Sequence, residues 1–175
     1  DLFLASGAVI NFNNGNVTLT HSSGAVTSSG HIVLNDSKRL KLGNGHDLEI
    51  YHDASNSYIT QQGTGDLYIQ NTTDDKDIIF QSDDGSGGVA TYFFLDGSGT
   101  ASNITRTVFP DNSNLVFGTG NDMFIRHTSA NSELVNFTGD LILQQNADDK
   151  DIIFKSDDGS GGVATYFHLD GSSAN

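Results

Sequence analysis

The chain has no cysteine and no tryptophan, one proline, one methionine and only 8 basic side chains. Without cysteine, disulfides, thiolate nucleophiles and Cys-ligated zinc are excluded, while the redox compartment stays open. Against those 8 cations stand 22 Asp and Glu, for a formal charge of −14. A phosphate backbone is held by Lys and Arg that displace its counterions, and anionic lipid headgroups ask for the same. Neither nucleic acid nor a membrane is therefore an expected partner, and the charge serves solubility and self-repulsion. The apolar runs are far too short to cross a bilayer, and none has the form of a signal peptide. The first residue is Asp1 rather than Met, as in a fragment or a processed product.

Leu, Ile, Val and Phe make up about a quarter of the residues, more than a disordered chain carries. They are spread thinly among Gly, Ser, Thr, Asn and Asp. A chain of this kind can fold, but one thick core is not expected of it.

A repeat dominates the sequence. Asp74–Ser98 reads DDKDIIFQSDDGSGGVATYFFLDGS, and Asp148–Ser172 repeats it with two changes in 25 positions, Gln81 to Lys155 and Phe94 to His168. The offset there is 74. Upstream, VLNDSKRLKLGNGHDLEIYH from Val33 parallels VFPDNSNLVFGTGNDMFIRH from Val108 at an offset of 75. The missing residue falls in a Gly-containing turn, QQGTGD shortened to NFTGD, where loops tolerate a deletion. Three parts follow: a β-hairpin leader (1–30), a first β repeat (31–104) and a second (105–175).

Within the first repeat, short alternating runs have the period of half-buried strands. They are Ile32–Leu34, Leu40–Leu42, Leu48–Tyr51, Tyr58–Thr60, Leu67–Gln70, Ile78–Gln81 and Thr91–Leu95. Asn-, Asp- and Gly-rich turns separate them. In the leader, Ala8–Phe12 and Val17–His21 flank an Asn-Gly turn, a hairpin signature. The expected class is all-β. Such short strands bury little apiece and gain stability by stacking or by pairing with other chains. The preferred arrangement is an elongated homotrimeric fibre, β-helix- or β-prism-like, with apolar residues facing a common axis. A β-sandwich per repeat is the alternative.

The phrases GAVINFNNGNVTLTHSS, LKLGNGHDLEIYHDASNSYI, GTGDLYIQN and DDKDIIFQSDDGSGGVATYFFLDGS resemble a repeat of marine bacteriophage proteins. That repeat occurs in virion structural and tail-fibre-type proteins of phages infecting marine bacteria, cyanobacteria among them. The second copy departs from the IYHD pattern, reading IRHT at Ile125–Thr128. The resemblance implies a virion appendage outside the cell, trimeric, joined to other virion proteins and supporting attachment to the host. It implies no catalytic residues and no cofactor. A carbohydrate- or receptor-binding adhesin module is the alternative function.

Several constellations carry chemistry in other proteins. The acidic turns Asp83–Gly88 and Asp157–Gly162 contain calcium-type ligands. Their spacing is not that of an EF-hand, since Phe94 stands at the twelfth position from Asp83, and hairpin turns explain them better. His52 and His127 occupy equivalent positions, where a trimer axis can gather three imidazoles around a metal. With no His-x-His pair, a polar surface role is the simpler reading. Paired carboxylates serve glycoside hydrolysis, but Asp is too abundant here to single out a pair. No nucleophile elbow is present, and Gly85, Gly87 and Gly88 lack the lysine of a phosphate loop. Tyr51, Tyr58, Tyr68, Tyr92 and Tyr166 can stack on sugars, although tyrosines at alternating strand positions usually pack. The sequons at Asn16, Asn35, Asn71, Asn103 and Asn136 are assigned no function. No catalytic, cofactor or metal residue is assigned, and the chain is not expected to be an enzyme.

Overall fold

The computed structural model describes residues 5, 7–12, 17–99 and 104–173. The chain is all-β, with strands and no helix among those residues. It forms two compact units, Asp1–Ile69 and Gln70–Asn175, so the structural division falls inside the first sequence repeat.

In the first unit, β1 (Val9–Phe12), β2 (Val17–Ser22) and β3 (Ala25–Ser28) make an antiparallel meander. Phe12 stands opposite Val17, and Leu19 opposite Ser28. The leader hairpin is thus extended by a third strand; its Asn14-Gly15 turn lies outside the described residues, as do the sequons at Asn16 and Asn103. A second meander follows from β4 (Arg39–Leu42), β5 (Leu48–His52) and β6 (Ser57–Gln61).

The second unit opens with β7 (Ile78–Asp83), β8 (Val89–Asp96) and β9 (Arg106–Val108) in one sheet. Next come β10 (Leu115–Phe117), β11 (Met123–His127) and β12 (Ser132–Asn136), and last the two-stranded sheet β13 (Ile152–Asp157) with β14 (Val163–Leu169). The second copy therefore repeats the β4–β8 pattern of the first. Its opening strand, β9, completes the hairpin of the copy before it.

The turns repeat even where the side chains do not. Ser37 and Asn112, His46 and Asn121, and Ala54 and Ser129 all have positive φ. In each pair the two residues are 75 positions apart. Ser37 N donates to His52 O at 2.7 Å, and Asn112 N to His127 O at 2.8 Å. Asp53 Oδ1 accepts from Ser55 N and Asn56 N at 2.9 and 2.8 Å; in the second copy Thr128 Oγ1 accepts from Asn131 N at 3.1 Å. The IRHT departure thus keeps the turn's acceptor. Ala54, at φ 84, has no polar side chain to favour the left-handed region, which costs an L-residue about 1–2 kcal/mol. Ala54→Gly is expected to raise the melting temperature, measured by thermal circular dichroism at fixed protein concentration.

Two runs with strand periodicity are not strands. Ile32–Leu34 and Leu67–Gln70 are irregular, as is Leu141–Gln144 in the second copy. Alternation shows that a segment suits a half-buried ribbon, but a strand also needs a neighbour for its backbone groups. Arg106–Val108 has one in β8 and forms β9. Its counterpart 75 residues earlier has none among the described residues.

Candidate functional site: an uncovered apolar face

Successive residues of a strand point to opposite faces, so the registers sort the β4–β6 sheet into two surfaces. Leu40, Leu42, Leu48, Ile50 and Ile59 share one face. Arg39, Lys41, Glu49, Tyr51 and Tyr58 share the other. The charged face closes on itself. Glu49, 2% exposed, pairs with Arg39 and with Lys41 Nζ at 3.1 Å. Arg39 lies over the Tyr51 ring, 3.7 Å from its centroid, and Tyr51 stacks on Tyr58 at 4.8 Å. Burial opposes the Glu49 charge, but the bonds from Lys41 and Arg39 outweigh it and hold the carboxyl below its ordinary value.

The β10–β12 sheet has the same two surfaces with one of them rebuilt. Val116, Phe124, Arg126, Glu133 and Val135 replace the charged face. Arg126 Nε and Nη2 each lie 2.8 Å from Glu133 Oε2, and the guanidinium sits 4.7 Å from the Phe124 centroid. The other face keeps its character: Leu115, Phe117, Met123, Ile125 and Leu134. One face changes its chemistry between copies while the other stays apolar.

That apolar face is uncovered. Most of its residues are exposed, Leu48 and Met123 being half-buried. Among the described residues no hydrophobic side chain is buried at all; the one buried residue is Glu49. Among the described residues, neither unit therefore encloses the apolar layer that a sandwich needs.

The hairpins carry the acidic turns. Asp84 Oδ1 accepts from Ser86 N, Ser86 Oγ and Gly88 N at 2.7, 2.8 and 3.0 Å. Asp83 Oδ2 accepts from Gly85 N, and Tyr92 Oη donates to Asp83 O. Asp158, Asp157 and Tyr166 repeat these bonds. These carboxylates cap their own turns, and no group of three or more His, Asp or Glu suited to a metal exists among the described residues. Tyr92 is the extra residue of a β-bulge, between Phe93 opposite Phe80 and Thr91 opposite Gln81; Tyr166 repeats it. The hydroxyl and amide of Ser86 with the amide of Gly88, and those of Ser160 with Gly162, hold Asp84 and Asp158 below the ordinary aspartate value. A lowered folded pKa contributes stability above the unfolded value and loses it as pH falls through the folded one. Acidification below the ordinary aspartate range is therefore expected to lower the protection factors of the Gly88 and Gly162 amides, read by NMR as exchange relative to the intrinsic rate at each pH.

His52 and His127 lie at the end of the apolar face, each with Nδ1 3.1 Å from a serine hydroxyl, Ser57 or Ser132. The tyrosines are divided. Tyr51 and Tyr58 belong to the charged face, Tyr68 is exposed, and Tyr92 borders an open groove of about 420 Å³ with Asp111, Asn112 and Asn114. Phe94, whose counterpart is His168, stands opposite Ile79 in the hairpin sheet. Sequence reasoning missed the division into one constant and one rebuilt face. The signal was there: positions 40, 42, 48, 50 and 59 stay apolar at 115, 117, 123, 125 and 134, while 41, 49, 51 and 58 change class. No protein-family model, curated protein or solved structure matches the chain.

Proposed function

We propose that the chain is a structural segment of a virion appendage of the tail-fibre type, working as a homotrimer whose apolar faces meet at a common axis. One observation carries the proposal: both copies keep an apolar face that the single chain leaves uncovered. A contiguous exposed face of five apolar side chains marks a site of association rather than a solvent boundary. An elongated trimeric fibre covers it by symmetry, and the acidic charge then lies outward and keeps neighbouring particles apart. The reading assigns no catalysis and no cofactor. It places the protein on the particle, outside the host cell, bound to other virion proteins. Multi-angle light scattering at micromolar concentration is expected to give three times the 18.6 kDa chain mass; a compact monomer would overturn the proposal.

A specific feature favours a second reading, an adhesin module that contacts a host glycan or receptor. The groove beside Tyr92 sets an exposed aromatic ring next to Asn112, Asn114 and Asp111, a combination of stacking surface and hydrogen-bonding groups that suits a sugar. Glycan-array binding that disappears in Tyr92→Ala would support it. Silence of the intact assembly on host cells and glycans would leave the shaft alone.

A further inference from the structure

Each copy carries one segment with the side chains of a strand and no strand partner. Residues 66–70 (Asp-Leu-Tyr-Ile-Gln) and 140–144 (Asp-Leu-Ile-Leu-Gln) are irregular. Among the described residues their backbones make no hydrogen bond. Their apolar side chains are left to water, Tyr68 being 77% and Ile142 74% exposed. Both copies also carry a strand with one open side. Among the described residues β13 pairs with β14 alone, and β7 pairs with β8 alone. Because β9 and a whole repeat follow β8 and leave that side of β7 open, the open edge belongs to the repeat itself.

Segment and edge fit in one register. Set antiparallel, Leu141 falls opposite Phe154, Ile142 opposite Ile153 and Leu143 opposite Ile152, with Asp140 opposite Lys155. In the first copy Leu67 falls opposite Phe80, Tyr68 opposite Ile79 and Ile69 opposite Ile78, with Asp66 opposite Gln81. Apolar pairs and opposite charges facing each other across strands stabilise a ladder, and like charges weaken it. The parallel setting that keeps the apolar pairs puts Asp140 against Asp151 and Asp66 against Asp77, so charge selects the antiparallel one. Folding back within one chain in that register would use the loop 145–150. That loop is closed, with Ala147 N donating to Gln145 Oε1 at 2.8 Å and Lys150 N to Ala147 O at 3.3 Å. Even so, the flanking segments stay unpaired.

We infer that the chains exchange strands: residues 140–144 of one chain add to the open edge of β13 in a second copy, and residues 66–70 to the open edge of β7. Backbone pairing at the edge supplies affinity, and the alternate side chains supply the register. Donor and acceptor are different surfaces, so the contact is heterologous, and a rotation that closes after three chains makes it a ring. Each chain then gives two strands and receives two. The inference rests on the homotrimer proposed above and names the joints that hold it together.

Its test uses the natural absence of cysteine in the chain. The full chain carrying Ile142→Cys and Ile153→Cys is refolded reduced, its mass is read by light scattering, and it is then mildly oxidised. Non-reducing electrophoresis is expected to show covalent trimers. Ile142→Cys with Phe154→Cys sets the two thiols on opposite faces and is expected to give about tenfold less cross-linked product. Tyr68→Cys with Ile79→Cys repeats the experiment in the first copy, and stands in for the second should circular dichroism show that the first pair disturbs the strands. A three-chain mass with disulfides closed inside single chains, with no disulfide, or with equal yields for matched and mismatched pairs would overturn the exchange and leave the trimer standing. A single-chain mass before oxidation would remove both.

Discussion

Replacing Ile50 and Ile125 together by Asp is expected to turn the assembled protein into dispersed chains that have lost most of their strand signal. The two residues lie at the middle of the apolar faces of β5 and β11 and are exposed in the single chain. On the proposed axis three copies of each would meet, so the double variant places six carboxylates among apolar side chains, with no Lys or Arg of the described sheets on that face. An uncompensated buried charge costs roughly 3–5 kcal/mol, and repulsion among the six adds to it. Because no described apolar side chain is buried within the chain, separation removes the cover that holds the sheets together. Light scattering would then fall toward 18.6 kDa, with the far-ultraviolet strand signal falling in parallel. Tyr58→Thr is the contrasting variant. It removes a stacked pair on the opposite face, worth about 0.5–1.5 kcal/mol, and is expected to leave the assembly mass unchanged. Unchanged mass and strand signal in the double Asp variant would rule out the apolar face as the interface.

The all-β class and most strand positions were legible because turn chemistry and period-two alternation agree along the chain. Gly43, Gly65, Gly85 and Gly87 have positive φ and interrupt the ribbons where the composition places turns. The runs at Ile32–Leu34 and Leu67–Gln70 were misread for a different reason. Their side-chain pattern is that of strands, but pairing depends on a neighbour that no local pattern specifies. Arg106–Val108 and its counterpart at 31–33 make the point directly: similar register, different outcome, decided by whether a hairpin lies alongside. The acidic turns were legible as turns, since Asp84 and Asp158 accept from their own loop amides. Glu49 was not. A carboxylate in an exposed-looking run, LKLGNGHDLEIYH, became the one buried described residue because Arg39 and Lys41 on the neighbouring strand converge on it.

Stability that rises steeply with protein concentration is the second large effect expected. Ordering the backbone of each residue costs about 1–2 kcal/mol, and a globular domain offsets this with buried apolar area at roughly 25 cal/mol per Å². Here no described apolar side chain is fully buried in the single chain, and in the proposed trimer the rest of the offset comes from surface covered between chains. If three unfolded chains combine into one folded trimer, folding and assembly are a single equilibrium. Each tenfold dilution of chains then weakens the trimer by about 2.7 kcal/mol, twice the value of one decade in an equilibrium constant. Thermal melts over a hundredfold range of concentration are expected to shift progressively upward with concentration, with no folded monomer at the dilute end. A melting temperature that stayed constant across that range would mean that each chain carries its own stability, and the uncovered apolar face would then need another explanation than self-association.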